Sequence, residues 1–74
     1  MEATRLVHMA NQIADFFDAY PEEEAIAATE NHFRRFWERR MRRELVLHLA
    51  AGGEGLSPIA LAAARRLDEG TVSP

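Results

Sequence analysis

Six arginines lie within ten positions of the sequence, from Arg34 to Arg43, and they surround Phe36 and Trp37. The chain has no lysine, so its side-chain positive charge comes almost entirely from guanidinium groups. A guanidinium is a planar fork that binds carboxylate or phosphate through paired hydrogen bonds. Arginine and aromatic residues are also enriched in the cores of protein interfaces. The cluster therefore has three candidate uses: a nucleic-acid arm, an anion site, or a helix face that docks on another protein.

No residue set in the sequence predicts catalysis or metal binding. The three histidines, His8, His32 and His48, lack metal-ligand spacing, and the chain has no cysteine to assist them. No Ser-His-Asp set or Gly-x-Ser-x-Gly motif is present. The glycine-rich string at residues 52–55 follows a predicted helix and lacks the Lys-Ser/Thr end of a phosphate loop, which predicts a turn. We expect no catalytic, metal or cofactor-binding residue in this chain.

The charge distribution favours a protein partner over a nucleic acid. Residues 1–31 carry seven acidic residues and one arginine, whereas residues 32–50 carry six arginines and two glutamates. Nucleic-acid-binding domains are usually basic overall, and this chain has a net charge of −3. The alternative of a small regulator that binds nucleic acid or an anionic ligand stays open, and it predicts strongly salt-dependent binding. The sequence contains neither a long apolar run nor a secretory signal, so we expect an intracellular protein without a membrane span.

The apolar periodicity predicts a small all-α bundle of three to four helices in one domain over residues 1–74. Thr4 is the expected N-cap of the first helix, and Ser57 that of the last. Gly52 and Gly53 are expected to end the helix before the last one, and the tail at about residues 69–74 to be frayed. The predicted helices cover residues 4–20, 22–37, 38–51 and 58–67. The second and third are either two helices with a kink or one helix over about residues 22–51.

If residues 30–49 are helical, the arginines divide into two groups. One group forms ion pairs four residues apart, and these pairs are Glu30–Arg34, Glu38–Arg42 and Arg40–Glu44. The other group lies along one ridge, made of Arg35, Arg39 and Arg43. An apolar stripe faces a core or a partner, and it consists of Phe33, Trp37, Met41, Leu45 and Leu49.

Two longer motifs resemble a known family. Residues 6–17 read LVHMANQIADFF, with Met-Ala-Asn-Gln-Ile followed by two phenylalanines. Residues 32–59 contain a histidine, Phe-Trp, Arg-Met-Arg and a Gly-Gly-x-Gly-Leu-x-Pro turn, in that order. These pieces resemble the delta subunit of the soluble NAD-dependent, molybdenum-containing formate dehydrogenase, over about residues 5–60. Members of that family often have proline at the position of Arg39. An arginine there does not enforce a helix break, which favours the continuous helix.

The resemblance implies a non-catalytic accessory subunit of a large cytoplasmic complex. In that complex the bis-molybdopterin guanine dinucleotide, the iron-sulfur clusters and FMN belong to other subunits. The delta subunit would support the assembly, stability or molybdenum-cofactor loading of the catalytic subunit. The isolated chain is also a candidate for self-association, because several of its aromatic residues are expected to be exposed. The expected partner contacts are Arg35, Phe36, Trp37, Arg39 and Arg43, with Asn11 and Gln12 as polar residues on the first helix.

Overall fold

Four α-helices make up most of the chain in a computed structural model, which describes the backbone of residues 2–71 and the side chains of residues 2–69. No strand is present in this part of the chain. The all-α prediction is therefore confirmed. The helices are α1 (Ala3–Phe17), α2 (Glu22–Phe36), α3 (Arg39–Ala50) and α4 (Pro58–Thr71).

The first helix is shifted relative to its prediction. It begins at Ala3 with Glu2 as the N-cap residue, so the assignment of Thr4 as N-cap was wrong. It ends at Phe17 rather than Tyr20, because a residue just before a proline is disfavoured in helical conformation. Pro21 then becomes the N-cap residue of α2, and its carbonyl oxygen accepts a hydrogen bond from the Ala25 amide at 2.9 Å. Three glutamates occupy the first turn of α2, where the helix dipole favours negative charge.

The chain leaves helical geometry at Trp37 and Glu38, whose ψ angles are 139° and 155°. Of the two predicted alternatives, the two separate helices are confirmed and the continuous helix over about residues 22–51 is wrong, although neither proline nor glycine lies at the break. Instead, the Arg42 guanidinium donates hydrogen bonds to the main-chain oxygens of Trp37 and Arg34. These carbonyls at the end of α2 have no helical partners, so a cation both satisfies them and complements the helix dipole.

The size of the bundle is a second reason for the break. One helix over residues 22–51 would be about 45 Å long. The longest dimension of the molecule is only 30 Å, so much of that helix would have nothing to pack against. Two shorter helices instead bring Phe33 of α2 and Leu45 of α3, both fully buried, into the same core.

The turn before α4 matches the predicted capping pattern. The Gly53 amide donates to the His48 carbonyl at 2.9 Å, and the residue has a φ of +66° that favours glycine. Ser57 caps α4 by accepting a hydrogen bond from the Ala60 amide at 3.3 Å. The helix continues to Thr71, four residues beyond its predicted end. The predicted frayed tail at about residues 69–74 is thus helical as far as Thr71, and its last three residues lie outside the described part.

The core is built largely from alanine. Six of the eleven buried apolar residues in the described part are alanines, and α4 contributes three of them. Because alanine is small, α4 can contact each of the other three helices closely. Thr29 is buried among these residues, and its hydroxyl donates to the Ala25 carbonyl at 2.7 Å. The larger buried apolar side chains are Leu6, Phe33, Trp37, Leu45 and Leu67.

The helix break can be tested with proline. Arg39 is the first residue of α3, where an amide N–H has no helical partner, and Glu38 already has the extended conformation that precedes proline. Arg39→Pro should therefore leave the free energy of unfolding within about 1 kcal/mol of the parent. Arg43→Pro, inside the same helix, should lower it by about 3 kcal/mol or more. Urea unfolding followed by circular dichroism measures both, and equally large losses would mean that α2 and α3 are continuous in solution.

Candidate functional site

An open apolar groove of about 440 Å³ runs beside α1, and we call it the aromatic groove. Phe16 at its edge is 75% exposed. Its ring meets that of Phe17 edge to face at a centroid distance of 5.0 Å, and Phe17 stacks on Tyr20 at 6.0 Å. The groove is thus a surface of exposed aromatic rings. It is lined by Met9, Gln12, Ile13, Phe16, Phe17, His32 and Trp37.

The groove exists because α1 has two apolar rows and the bundle covers only one of them. Leu6, Ala10 and Ala14 are spaced four residues apart and are buried. Met9, Ile13 and the phenylalanines at residues 16 and 17 form the neighbouring row, which remains partly or largely exposed. On the α2 side, His32 and the 70% exposed Phe36 bring their rings to a centroid distance of 4.9 Å. An apolar stripe wider than its own core requires is typical of an interaction surface.

A second surface, the arginine cleft, has a volume of about 410 Å³ and no carboxylate among its lining residues. Two of its arginines are already bonded within the fold. Arg34 donates to Glu30 at 2.9 Å and to the Arg66 carbonyl at 3.1 Å, and Arg42 holds the end of α2. The cleft is lined by Arg34, Arg39, Arg42, Arg43, Val46, Leu47 and Leu67.

The predicted arginine ridge is divided by the helix break. Arg39 and Arg43 lie one turn apart on α3, and both line the arginine cleft. Arg35 belongs to α2 and is not among the lining residues, so the continuous ridge was wrong. Because Arg35 follows His32 by three residues on one helix, it lies beside the His32–Phe36 edge of the aromatic groove. The three arginines therefore serve two surfaces.

The two central aromatic residues of the motif have different environments. Phe36 is exposed, as a docking residue must be. Trp37 is only 6% exposed, and its ring lies 4.6 Å from that of Phe33, centroid to centroid. The structure thus places Trp37 in the core and at the floor of the groove rather than on the docking face. The burial of Trp37 accompanies the helix break, at which residue 37 is buried and residue 36 is exposed.

Only one of the predicted ion pairs is present among the described residues. Glu30 and Arg34 form the expected pair. Glu38 and Arg42 do not, because the guanidinium of Arg42 bonds to main-chain oxygens of α2. Arg40 and Glu44 do not form the expected pair among the described side chains, so that prediction was wrong. A further ion pair, between Glu23 of α2 and Arg66 of α4, joins residues 43 positions apart and has no local sequence signal.

Within the described residues, no group of three or more histidine, cysteine, aspartate or glutamate side chains is arranged to hold a metal ion. Over the same residues, no helix is long and apolar enough to cross a membrane.

Residues 5–64 match the family model of the NADH-dependent formate dehydrogenase delta subunit FdsD. The matched segment contains α1 from its third residue, α2, α3, the glycine turn and the first half of α4. The chain belongs to this family. A search of curated proteins found no match, and no solved structure matches the chain. The predicted resemblance to the formate dehydrogenase delta subunit is confirmed, and the family makes the chain a subunit of a formate dehydrogenase complex.

Asn11 belongs to the Met-Ala-Asn-Gln-Ile motif of this delta subunit. Its side chain forms hydrogen bonds with residues of the same chain, not with a partner surface. Its side-chain amide donates to the Gly55 carbonyl at 2.9 Å, and its oxygen accepts from the Ser57 amide at 2.9 Å. The residue thus clamps the turn before α4 against α1. Gln12 is exposed and lines the aromatic groove. Of the two polar residues expected to contact a partner, only Gln12 presents its side chain at a candidate surface.

Sequence reasoning missed the α1 half of the aromatic groove and the apolar part of the arginine cleft. The α1 half could have been found, because Met9, Ile13 and Phe16 follow helical spacing beside the buried row. Leu47, which is 61% exposed in the cleft, had no distinguishing signal. Leu47 directly follows Val46 in an apolar run of the sequence. The packing of α4 against α3 determines that Val46 is partly buried and Leu47 is exposed.

Substitution of Asn11 should destabilise the fold, whereas substitution of its exposed neighbour Gln12 should not. Asn11→Ala removes two hydrogen bonds that fix the turn, so it should lower the free energy of unfolding by about 1–3 kcal/mol. Gln12→Ala should change it by less than about 0.5 kcal/mol, because the side chain is exposed. Thermal unfolding measures the difference, at about 4–8 °C per kcal/mol for a domain of this size. Equal melting temperatures for the two variants would contradict the clamp.

Proposed function

We propose that this delta subunit is a non-catalytic accessory subunit that docks on the molybdenum-containing catalytic subunit of its formate dehydrogenase. In this role it supports the assembly, stability or cofactor loading of that subunit. The docking face consists of the aromatic groove with Phe36 and Arg35 at its edge. Gln12 adds a polar contact on the α1 side.

The observation that carries the proposal is the group of large exposed rings beside a core rich in alanine. Six of the eleven buried apolar residues in the described part are alanines, whereas Phe16, Tyr20 and Phe36 are each more than half exposed. A chain of this size gains little stability from so small a core and would normally bury its large rings. Exposed rings grouped on one face are instead typical of a surface that a partner covers. Arg35 beside them could pair with a carboxylate on the partner.

The residues of this chain do not fit an iron-sulfur cluster. Iron-sulfur clusters are held by cysteine thiolates, and the sequence has no cysteine. On this ground we place the iron-sulfur clusters in other subunits, and we place the bis-molybdopterin guanine dinucleotide and FMN there because the resemblance to the family implies it.

The nucleic-acid alternative has less support. A helix-turn-helix reader built from α3 and α4 would need α4 to read bases, and α4 buries Ala60, Ala63 and Ala64 in the core. The chain is acidic overall, and several of its arginines bond within the fold. A titration with DNA or RNA at low salt that shows no binding would remove this alternative.

The docking face can be tested by removing its most exposed rings. The double variant Phe16→Ser, Phe36→Ser should fold as the parent does, because both rings are largely exposed. If each ring is an interface anchor worth about 2 kcal/mol, affinity for the catalytic subunit should fall by on the order of 1000-fold. Co-purification of the tagged chain with the complex measures this loss.

The matched control is Phe16→Tyr, Phe36→Tyr, which keeps both rings and should retain most of the binding. Unchanged co-purification of the serine variant would contradict docking through the aromatic face. If binding falls as expected, the molybdenum content of the catalytic subunit and its rate of thermal inactivation should be compared between the two variants. A lower molybdenum content would indicate cofactor loading, and faster inactivation at equal molybdenum content would indicate stabilisation.

A further inference from the structure

Among residues 2–69, the arginine cleft is lined by four arginines and no acidic residue. In the same part of the chain, the guanidinium groups of Arg39 and Arg43 have no hydrogen-bond or ion-pair partner, and Glu44 lies beside both arginines in the adjoining hollow on α3. Their neighbours Arg34 and Arg42 are committed to contacts within the fold, which fixes them in the wall of the cleft. The guanidinium groups of Arg39 and Arg43, with that of Arg42 beside them, give the cleft a local excess of positive charge, whereas the charge of Arg34 is paired with Glu30. Such a site attracts an anionic group.

An exposed leucine continues the same row. Arg39, Arg43 and Leu47 are spaced four residues apart on α3, so they follow one another along its surface. Leu47 is 61% exposed, and Val46 and Leu67 lie beside it in the cleft. The surface therefore presents two cations followed by an apolar patch. A ligand that satisfies both must combine negative charge with an apolar side chain.

We propose that the arginine cleft is a second docking site, which binds a carboxylate-bearing amphipathic segment of a partner polypeptide. This inference rests on the proposed function, since it takes the segment from another subunit of the formate dehydrogenase complex. Asp or Glu side chains of the segment pair with Arg39 and Arg43 through the guanidinium forks. An apolar side chain one helical turn away packs on Leu47.

Chemistry favours a peptide over a phosphate ligand. A nucleic-acid backbone would meet a chain with a net charge of −3, and it has no apolar side chain to cover Leu47. A free phosphate would leave the apolar part of the cleft exposed. A short acidic segment needs only two cations and covers both parts.

The arginine cleft is separate from the aromatic groove, because the two share no lining residue. They meet through Trp37, whose ring lines the groove while its carbonyl is bonded by Arg42 in the cleft. A chain with two such surfaces can hold a partner at two points. Each contact then raises the effective concentration at the other.

Photo-crosslinking in the assembled complex tests the proposal directly. Leu47→p-benzoylphenylalanine places the probe in the arginine cleft, and Phe36→p-benzoylphenylalanine places it on the aromatic face. Both positions are exposed, so neither probe should disturb folding. Mass spectrometry of the Leu47 crosslink should identify a subunit peptide with Asp or Glu within about one helical turn of the attached residue.

A Leu47 crosslink to a peptide without nearby acidic residues, a crosslink to nucleic acid, or no crosslink would overturn the cleft proposal. The Phe36 probe separates this failure from that of the proposed function. A Phe36 crosslink to the catalytic subunit without a Leu47 crosslink would leave the aromatic docking face intact and remove only the cleft. If neither probe crosslinks to a subunit, both proposals fail.

Charge reversal gives an independent measurement. Arg39→Glu, Arg43→Glu should raise the dissociation rate of the complex by on the order of tenfold or more, because the partner's carboxylates would lose their partners and face like charge. The control Arg5→Glu, Arg65→Glu makes the same change in net charge at two exposed arginines outside the cleft, and it should alter the rate less than about twofold. Equal effects of the two variants, or no effect of the first, would contradict a specific site.

Discussion

The position of Trp37 is the constraint on which the rest of the structure depends. Its ring packs against Phe33 in the core, and its carbonyl accepts a hydrogen bond from Arg42. Together these contacts stop α2 and redirect the chain into α3, so that Leu45 reaches the same core. The same break leaves Phe36 on the surface and separates Arg35 from Arg39. The break at Trp37 therefore shapes the α2 edge of the aromatic groove and separates it from the arginine cleft.

Because alanine is frequent in the core, the chain buries little apolar area for its length. Buried area per residue is small when Ala10, Ala14 and the alanines of α4 fill the interface between helices. The hydrophobic contribution to folding scales with apolar area removed from water, so each of these residues adds little. Phe16 and Phe36 could add much more, but only when something covers them. Docking on a partner would thus supply apolar burial that the chain lacks by itself.

Local signals were sufficient to predict most of the helices, and contacts between distant residues explain the errors. Pro21 and Ser57 mark their helix starts by their own chemistry, so those boundaries were predictable. The break at Trp37 depends on a guanidinium that reaches back to α2, and no residue at the break itself signals it. The role of Asn11 was also hidden, because its partner Gly55 is 44 residues away. For the same reason, only some residues of the two surfaces could be predicted, since the exposure of a side chain depends on which neighbouring helix covers it.

Arg39 is both the first residue of α3 and a lining residue of the arginine cleft. Proline, which is frequent at this position in the family that the sequence resembles, is favoured at the first residue of a helix, and Arg39 begins α3. The break therefore does not require proline here, since Arg42 and the burial of Trp37 hold it. An arginine in this place keeps the fold and adds a free cation to the cleft. A delta subunit with proline there would keep Arg43 as its free cation, if the rest of the cleft is the same. We therefore expect the strength of the acidic contact to depend on residue 39, whereas the aromatic docking face does not.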